Sequence, residues 1–161
     1  MWKGIDVSDN QGAINWAQIP KNVDFAILRS VRRSGKADHQ FAANLEGCRK
    51  RNIPMSVYKY TYAATPEAAR QEAQQVVALL QSYGLTGTMV WWDVEDKDVL
   101  RPLGAAKLTE CIRAAQEVIT AAGYSFGLYV GLYVYNERWF DFNAFSGTRL
   151  WVARYYKGLS L

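Results

Sequence analysis

The chain has 161 residues, half of them hydrophobic, with 19 Lys and Arg against 15 Asp and Glu for a net charge of +4. That length suits one domain with a sizeable core. No run is apolar enough to span a membrane, and the mild positive charge favours polyanionic partners only weakly. One histidine and two cysteines leave no Cys/His metal site and, without a serine motif beside His39, no histidine-dependent triad.

Strand and helix patterns alternate along the chain. Gly4–Ser8 reads as a first strand and Phe25–Ser30 (FAILRS) as a second. A basic group, Arg29, Arg32, Arg33 and Lys36, follows; Arg32, Arg33 and Lys36 read as a solvated loop. His39–Arg51 carries Phe41, Leu45 and Cys48 at helical spacing, with Asn52 as its stop and Pro54 beyond. Met55–Tyr62 (MSVYKYTY) is a third strand. Thr65 caps a second helix with Pro66 at its first position. Gly84 and Gly87 precede a fourth strand, Thr88–Glu95. Lys107–Ala122 is a third helix, closed by Gly123. Ser125–Val130 and Leu150–Tyr155 are strands five and six. Cys48 and Cys111 fall in helical segments, as buried free thiols rather than a disulfide.

Strands separated by helices make a parallel sheet of βαβ units, covered on both faces or closed into a barrel. In either case function gathers at the carboxyl ends of the strands. The fourth strand, MVWWDVED, places Asp93 and Glu95 there. Strand periodicity points both to one face, with their Cα atoms about 6.5–7 Å apart. Like charges at that range push their proton affinities apart, so one can stay protonated near neutral pH. A protonated acid beside an ionised carboxylate suits glycosidic bond cleavage. Asp6 adds a third acid within an apolar first strand. Tyr58, Tyr60 and Tyr62 share one strand face, and Tyr129 stands near the end of the fifth strand. Aromatic rings with hydroxyls suit sugars.

The segments KGIDVSDNQGAINWAQI (3–19), FAILRS (25–30), PMSVYKYTYA (54–63), MVWWDVED (89–96), AGYSFGLYV (122–130) and RLWVARY (149–155) occur in an order that resembles glycoside hydrolase family 25, the cell-wall lysozymes or N-acetylmuramidases of bacteria and phages. The resemblance implies an α/β fold, an irregular (β/α) barrel of TIM-barrel type. It also implies cleavage of the β-1,4 bond between N-acetylmuramic acid and N-acetylglucosamine in peptidoglycan, without a cofactor. By the same resemblance Glu95 matches the general acid. Asp93 matches a partner that orients or stabilises the substrate's N-acetyl group, and Asp6 the acid of the first strand. Arg29, Tyr58, Tyr60 and Tyr129 fall where the family has basic and aromatic pocket residues. Asp9 and Lys59 depart from it, at positions where relatives often carry His or an aromatic, and His, respectively.

The family pattern continues past RLWVARY to further strands. Residues 1–161 are therefore expected to form a single catalytic domain without its last strands. Open edges at the first and sixth strands invite self-association. The action expected is on the cell wall outside the cell, reached by secretion or phage release, with neither nucleic acid nor membrane as partner. No signal peptide is visible at the start. The alternative is an impaired wall-carbohydrate binding module that keeps the aromatic groove.

Overall fold

The computed structural model describes residues 2–154. Six strands form one sheet: β1 (Gly4–Val7), β2 (Phe25–Arg29), β3 (Met55–Tyr60), β4 (Met89–Asp93), β5 (Ser125–Gly131) and β6 (Arg149–Ala153). Neighbours in the sheet follow chain order, and every pair is parallel. Three longer helices, α1 (Phe41–Arg51), α2 (Pro66–Ser82) and α3 (Ala105–Ala121), and a short α4 (Leu132–Glu137) join them.

A strand order that never reverses sends every crossover in the same direction. Right-handed crossovers then place all the helices on one face. That face carries Ala26, Leu28, Val57, Val90, Trp92, Leu128 and Val130, all buried. Val76 and Leu80 of α2, and Leu108, Ile112 and Ile119 of α3, complete this core. The other face is concave. Phe25 on β2 and Trp151 on β6 meet edge to face at 6.4 Å. Four strand spacings in a flat sheet would hold them about 19 Å apart. The sheet therefore curls into a half-barrel. Among the described residues, β1 and β6 each pair on one side only.

All six expected strands and three expected helices are present, with edges shifted for local reasons. The first strand ends at Val7, because Ser8 already caps the following turn. Two strands end two residues earlier than expected. At β3, the Glu72 carboxylate accepts the Tyr62 N–H at 3.1 Å and draws the chain off the ladder. At β4, the Val94 N–H still reaches the Tyr129 carbonyl at 2.9 Å. Asp96 then accepts the Val99 N–H at 2.8 Å and turns the chain. The sixth strand runs Arg149–Ala153; its expected end, Tyr155, lies outside the described residues. Helix α4 has no counterpart among the expected elements, since Leu-Tyr-Val-Tyr reads locally as strand.

The local signals hold elsewhere. Thr65 Oγ1 accepts the Ala68 N–H at 3.1 Å, and Asn52 ends α1 in the left-handed conformation. Cys48 and Cys111 are free and buried. No helix among the described residues is long and apolar enough to cross a membrane.

Candidate active site

The concave face holds a cleft of about 510 Å³ at the carboxyl ends of the strands. All seven residues singled out from the sequence line it: Asp6, Arg29, Tyr58, Tyr60, Asp93, Glu95 and Tyr129. They come from five consecutive strands and their exits. Register explains the convergence, since Tyr58 stands beside Trp91, and Tyr60 and Tyr129 flank Asp93.

Asp93 is 6% exposed, and Glu95, two residues on and past the end of β4, is half-buried. Asp93 Oδ1 and Glu95 Oε1 are buried without a hydrogen-bond partner among the described residues. Burial drives the Asp93 carboxyl well above the usual carboxylate range, and the charges of Glu95 and Asp6 push the same way. Burial also raises Glu95, while its hydrogen bond with Asp93 pulls it back down. Burial thus favours the neutral form at both carboxyls, and the protonation of each depends on the other.

Two inward glycines of β5 make room for β4. A Cβ on Gly131 would lie 2.8 Å from Glu95 Oε1, and one on Gly127 would lie 2.7 Å from the Trp91 ring. Tyr133 donates its hydroxyl to the Glu95 carbonyl at 2.9 Å, which fixes the backbone beneath the acid.

Asp6 faces the cleft from the outermost strand and is exposed. Among the described residues β1 is an edge strand, and that position leaves Asp6 in contact with water. Arg29 is anchored by a 3.1 Å ion pair to Asp9, with the fully buried Asp38 at 3.8 Å. His39 Nδ1 lies 3.0 Å from the other Asp9 oxygen, so this exposed residue is also part of a network. Burial works against ionisation of Asp9, but His39, Arg29 and Asp38 outweigh it and hold its carboxyl below the usual range. Burial pushes the Tyr58 phenol up to about 12 and raises Tyr60 as well, so both remain hydroxyl donors.

Tyr62, grouped with Tyr58 and Tyr60 by the sequence, also lines the cleft, as do Asn10, Trp91 and Trp151, to which the sequence reading gave no site role. Trp151 packs edge to face on Trp91 at 5.7 Å and on Tyr129 at 5.4 Å. The register of β6 sets it directly beside Tyr129, so both rings face the cleft. Asn10 is set by a capping box, with Ser8 accepting the Asn10 N–H at 3.2 Å and Gln11 accepting the Ser8 N–H at 2.8 Å. The Ser-x-x-Gln spacing announces that box. Tyr62 lies past β3, tilted against Tyr60 at 4.9 Å and capped by the Arg33 guanidinium at 4.4 Å.

Comparison with solved structures finds the same fold in cell-wall lytic proteins. The modular autolysin LytC from Streptococcus pneumoniae is 28% identical with a TM-score of 0.74, over 84% of this chain and 33% of that one. The catalytic domain of the endolysin ply40 from bacteriophage P40 of Listeria monocytogenes is 23% identical with a TM-score of 0.71, over 85% and 67%. A muramidase from Trichobolus zukalii is 18% identical with a TM-score of 0.78, over 98% and 79%. This chain thus spans about a third of the length of the autolysin. No curated protein matches it. The family model described as glycosyl hydrolases family 25 matches residues 5–160, and the chain belongs to that family.

Proposed function

We propose that this chain is a peptidoglycan hydrolase of muramidase type, cleaving the β-1,4 bond between N-acetylmuramic acid and N-acetylglucosamine. The observation that carries the reading is the Asp93–Glu95 pair, two carboxyls raised by burial at the floor of an aromatic-walled cleft. Family membership supplies the reaction class. The autolysin LytC has also been solved in complex with a synthetic peptidoglycan ligand, which supports the same polymer as substrate here.

Glu95 is the general acid. It stands nearer the mouth than Asp93, where it reaches a leaving oxygen, and its raised proton affinity keeps it protonated at higher pH than an ordinary carboxyl. In the free protein the deeper Asp93 competes for the same proton. A sugar seated over the pair changes that balance. It strips the remaining water from Glu95, favouring its neutral form, and an N-acetyl N–H donated to Asp93 favours the anion there. Substrate thus moves the proton onto Glu95 and leaves Asp93 charged to orient the acetamido group. Asp6 adds negative potential from the open side, toward the positive charge that develops on the sugar ring.

Arg29, Tyr58, Tyr60 and Tyr129 bind the glycan. The tyrosines present ring faces and hydroxyls, and Asp9 holds the guanidinium of Arg29 at the rim. The reaction takes place in the cell wall, outside the cell or after phage release.

Digestion of purified peptidoglycan followed by mass spectrometry tests this reading. Fragments ending in reducing N-acetylmuramic acid are expected from the parent chain and not from E95Q. Binding to the wall without any release of reducing ends would instead identify a carbohydrate-binding module.

A further inference from the structure

Behind β3, on the face away from the cleft, lies a charged pair that the proposed chemistry does not use. Lys59 is 1% exposed, and its ammonium lies 3.6 Å from Glu72 Oε1 of α2. It donates to the Tyr60 carbonyl at 2.9 Å. Glu72 also accepts the Thr61 hydroxyl at 2.6 Å and the Tyr62 N–H at 3.1 Å. The Thr61 N–H in turn reaches the Asp93 carbonyl at 3.0 Å. One carboxylate on α2 therefore holds three consecutive residues of the β3 exit, directly or through Lys59, and that exit is bonded to the backbone of Asp93.

A buried ion pair is a poor source of stability, because desolvation offsets most of its attraction. A pair of apolar side chains would fill the same space beneath α2. The charge calls for another account, and its connections supply one. We propose that Lys59 and Glu72 are positioning residues for the acid pair: they lock the β3 exit against the backbone of Asp93 and set a fixed cation across the sheet from the two carboxyls. This rests on the acid-pair reading above.

The electrostatics agree with the geometry. The Lys59 ammonium draws the Asp93 carboxyl downward, against burial and against the charges of Glu95 and Asp6. Burial lowers the proton affinity of Lys59 itself, and Glu72 counters that and keeps it charged. Besides Glu95, the charged or titratable groups lining the cleft with Asp93 are Asp6 from β1, Arg29 from β2, Tyr58 and Tyr60 from β3, Tyr62 just past it, and Tyr129 from β5. Lys59 differs from them in approaching from the dry side, where solvent screening is weakest.

Two variants test the proposal through the carboxyl carbon NMR titration of Asp93, a readout that needs no turnover. K59M/E72Q removes both charges and leaves no buried ion unpaired. Its Asp93 titration is expected to move to higher pH, and the acidic limb of the kcat profile should move with it. E72Q alone removes the carboxylate that favours the charged form of Lys59, so the buried amine is expected to lose its proton more readily and the Asp93 titration to move in the same direction as in the double variant. Folding is checked by circular dichroism and by the two-dimensional amide spectrum. A folded variant whose Asp93 titration stays in place would overturn the proposal, as would the loss of fold in both variants, which would make the pair purely structural. Failure of the muramidase reading would show separately, as a parent chain that releases no reducing ends while the titrations still shift.

Discussion

Gly131 at the end of β5 and Glu95 just beyond the end of β4 share one space: a methyl group on the glycine would stand 2.8 Å from the acid's Oε1 and 2.4 Å from the Tyr133 ring. The backbone at Gly131 is extended, with φ −70°, so alanine meets no conformational obstacle there. G131A is expected to fold, at a cost of about 1–3 kcal/mol for overpacking. It should lose about 100-fold in kcat by displacing the Glu95 carboxyl, since small misplacements of reacting groups are that costly. Thermal melts and wall-lysis assays on the same preparation separate the two effects. Near-normal turnover in G131A would show that the position of Glu95 is not critical.

Asp93 is held where its charge is disfavoured, so D93N should stabilise the fold while abolishing activity. The sign follows from linkage. A carboxyl whose folded proton affinity exceeds its unfolded value near 3.8 binds more protons when folded. Stability then falls as pH rises from that value through the raised folded titration. D93N lacks this penalty and should exceed the parent by on the order of 1–2 kcal/mol at pH 7. The advantage should disappear below about pH 4, where Asp93 is protonated in both states. Chemical denaturation at several pH values measures the difference. A D93N chain less stable than the parent at neutral pH would contradict the assignment.

Glu95 must carry a proton to act, so kcat should fall as pH rises through its raised titration. E95Q should lower kcat by a factor of about 100 or more while leaving glycan binding nearly intact. Initial rates of reducing-end release across pH check both statements. A rate that keeps rising above neutral pH would remove Glu95 from the acid role.

Trp151 links the far edge of the half-barrel to its middle through Phe25, Trp91 and Tyr129. W151A should cost about 3 kcal/mol, in the range for large aromatic deletions, and should weaken glycan binding through Tyr129. W151F should recover most of the stability. Urea melts and binding to a soluble chitooligosaccharide distinguish these outcomes, and an unchanged melt in W151A would show that the edge is not held by this ring.

The two thiols should be inert. Cys48 and Cys111 are 1% and 2% exposed, and burial pushes the Cys48 thiol up to about 11 and raises Cys111 too. Reaction with a disulfide reagent at pH 8 should be negligible in the native protein and rapid in denaturant. Fast native labelling would reveal local opening of α1 or α3.

Much of this architecture is legible in the chain itself. Apolar runs such as FAILRS and MVWWD are strands because they are short, β-rich and bounded by turns, and their alternation with helices dictates a parallel sheet. Period two also puts Asp93 and Glu95 on one face of their strand, and Tyr58 and Tyr60 on one face of theirs. What the tertiary structure decided depends on contacts between segments distant in sequence. The end of β3 is set by Glu72 of α2, a side chain no local propensity could weigh. The edge position of Asp6 follows from strand order, and the role of Trp151 from the curl that carries β6 over to β2. Lys59 shows the division most clearly. Its place between two tyrosines suggests a pocket residue, yet its parity turns it under α2, where Glu72 gives it a partner. Local sequence sets the direction of a side chain, and only the packed fold determines what it meets there.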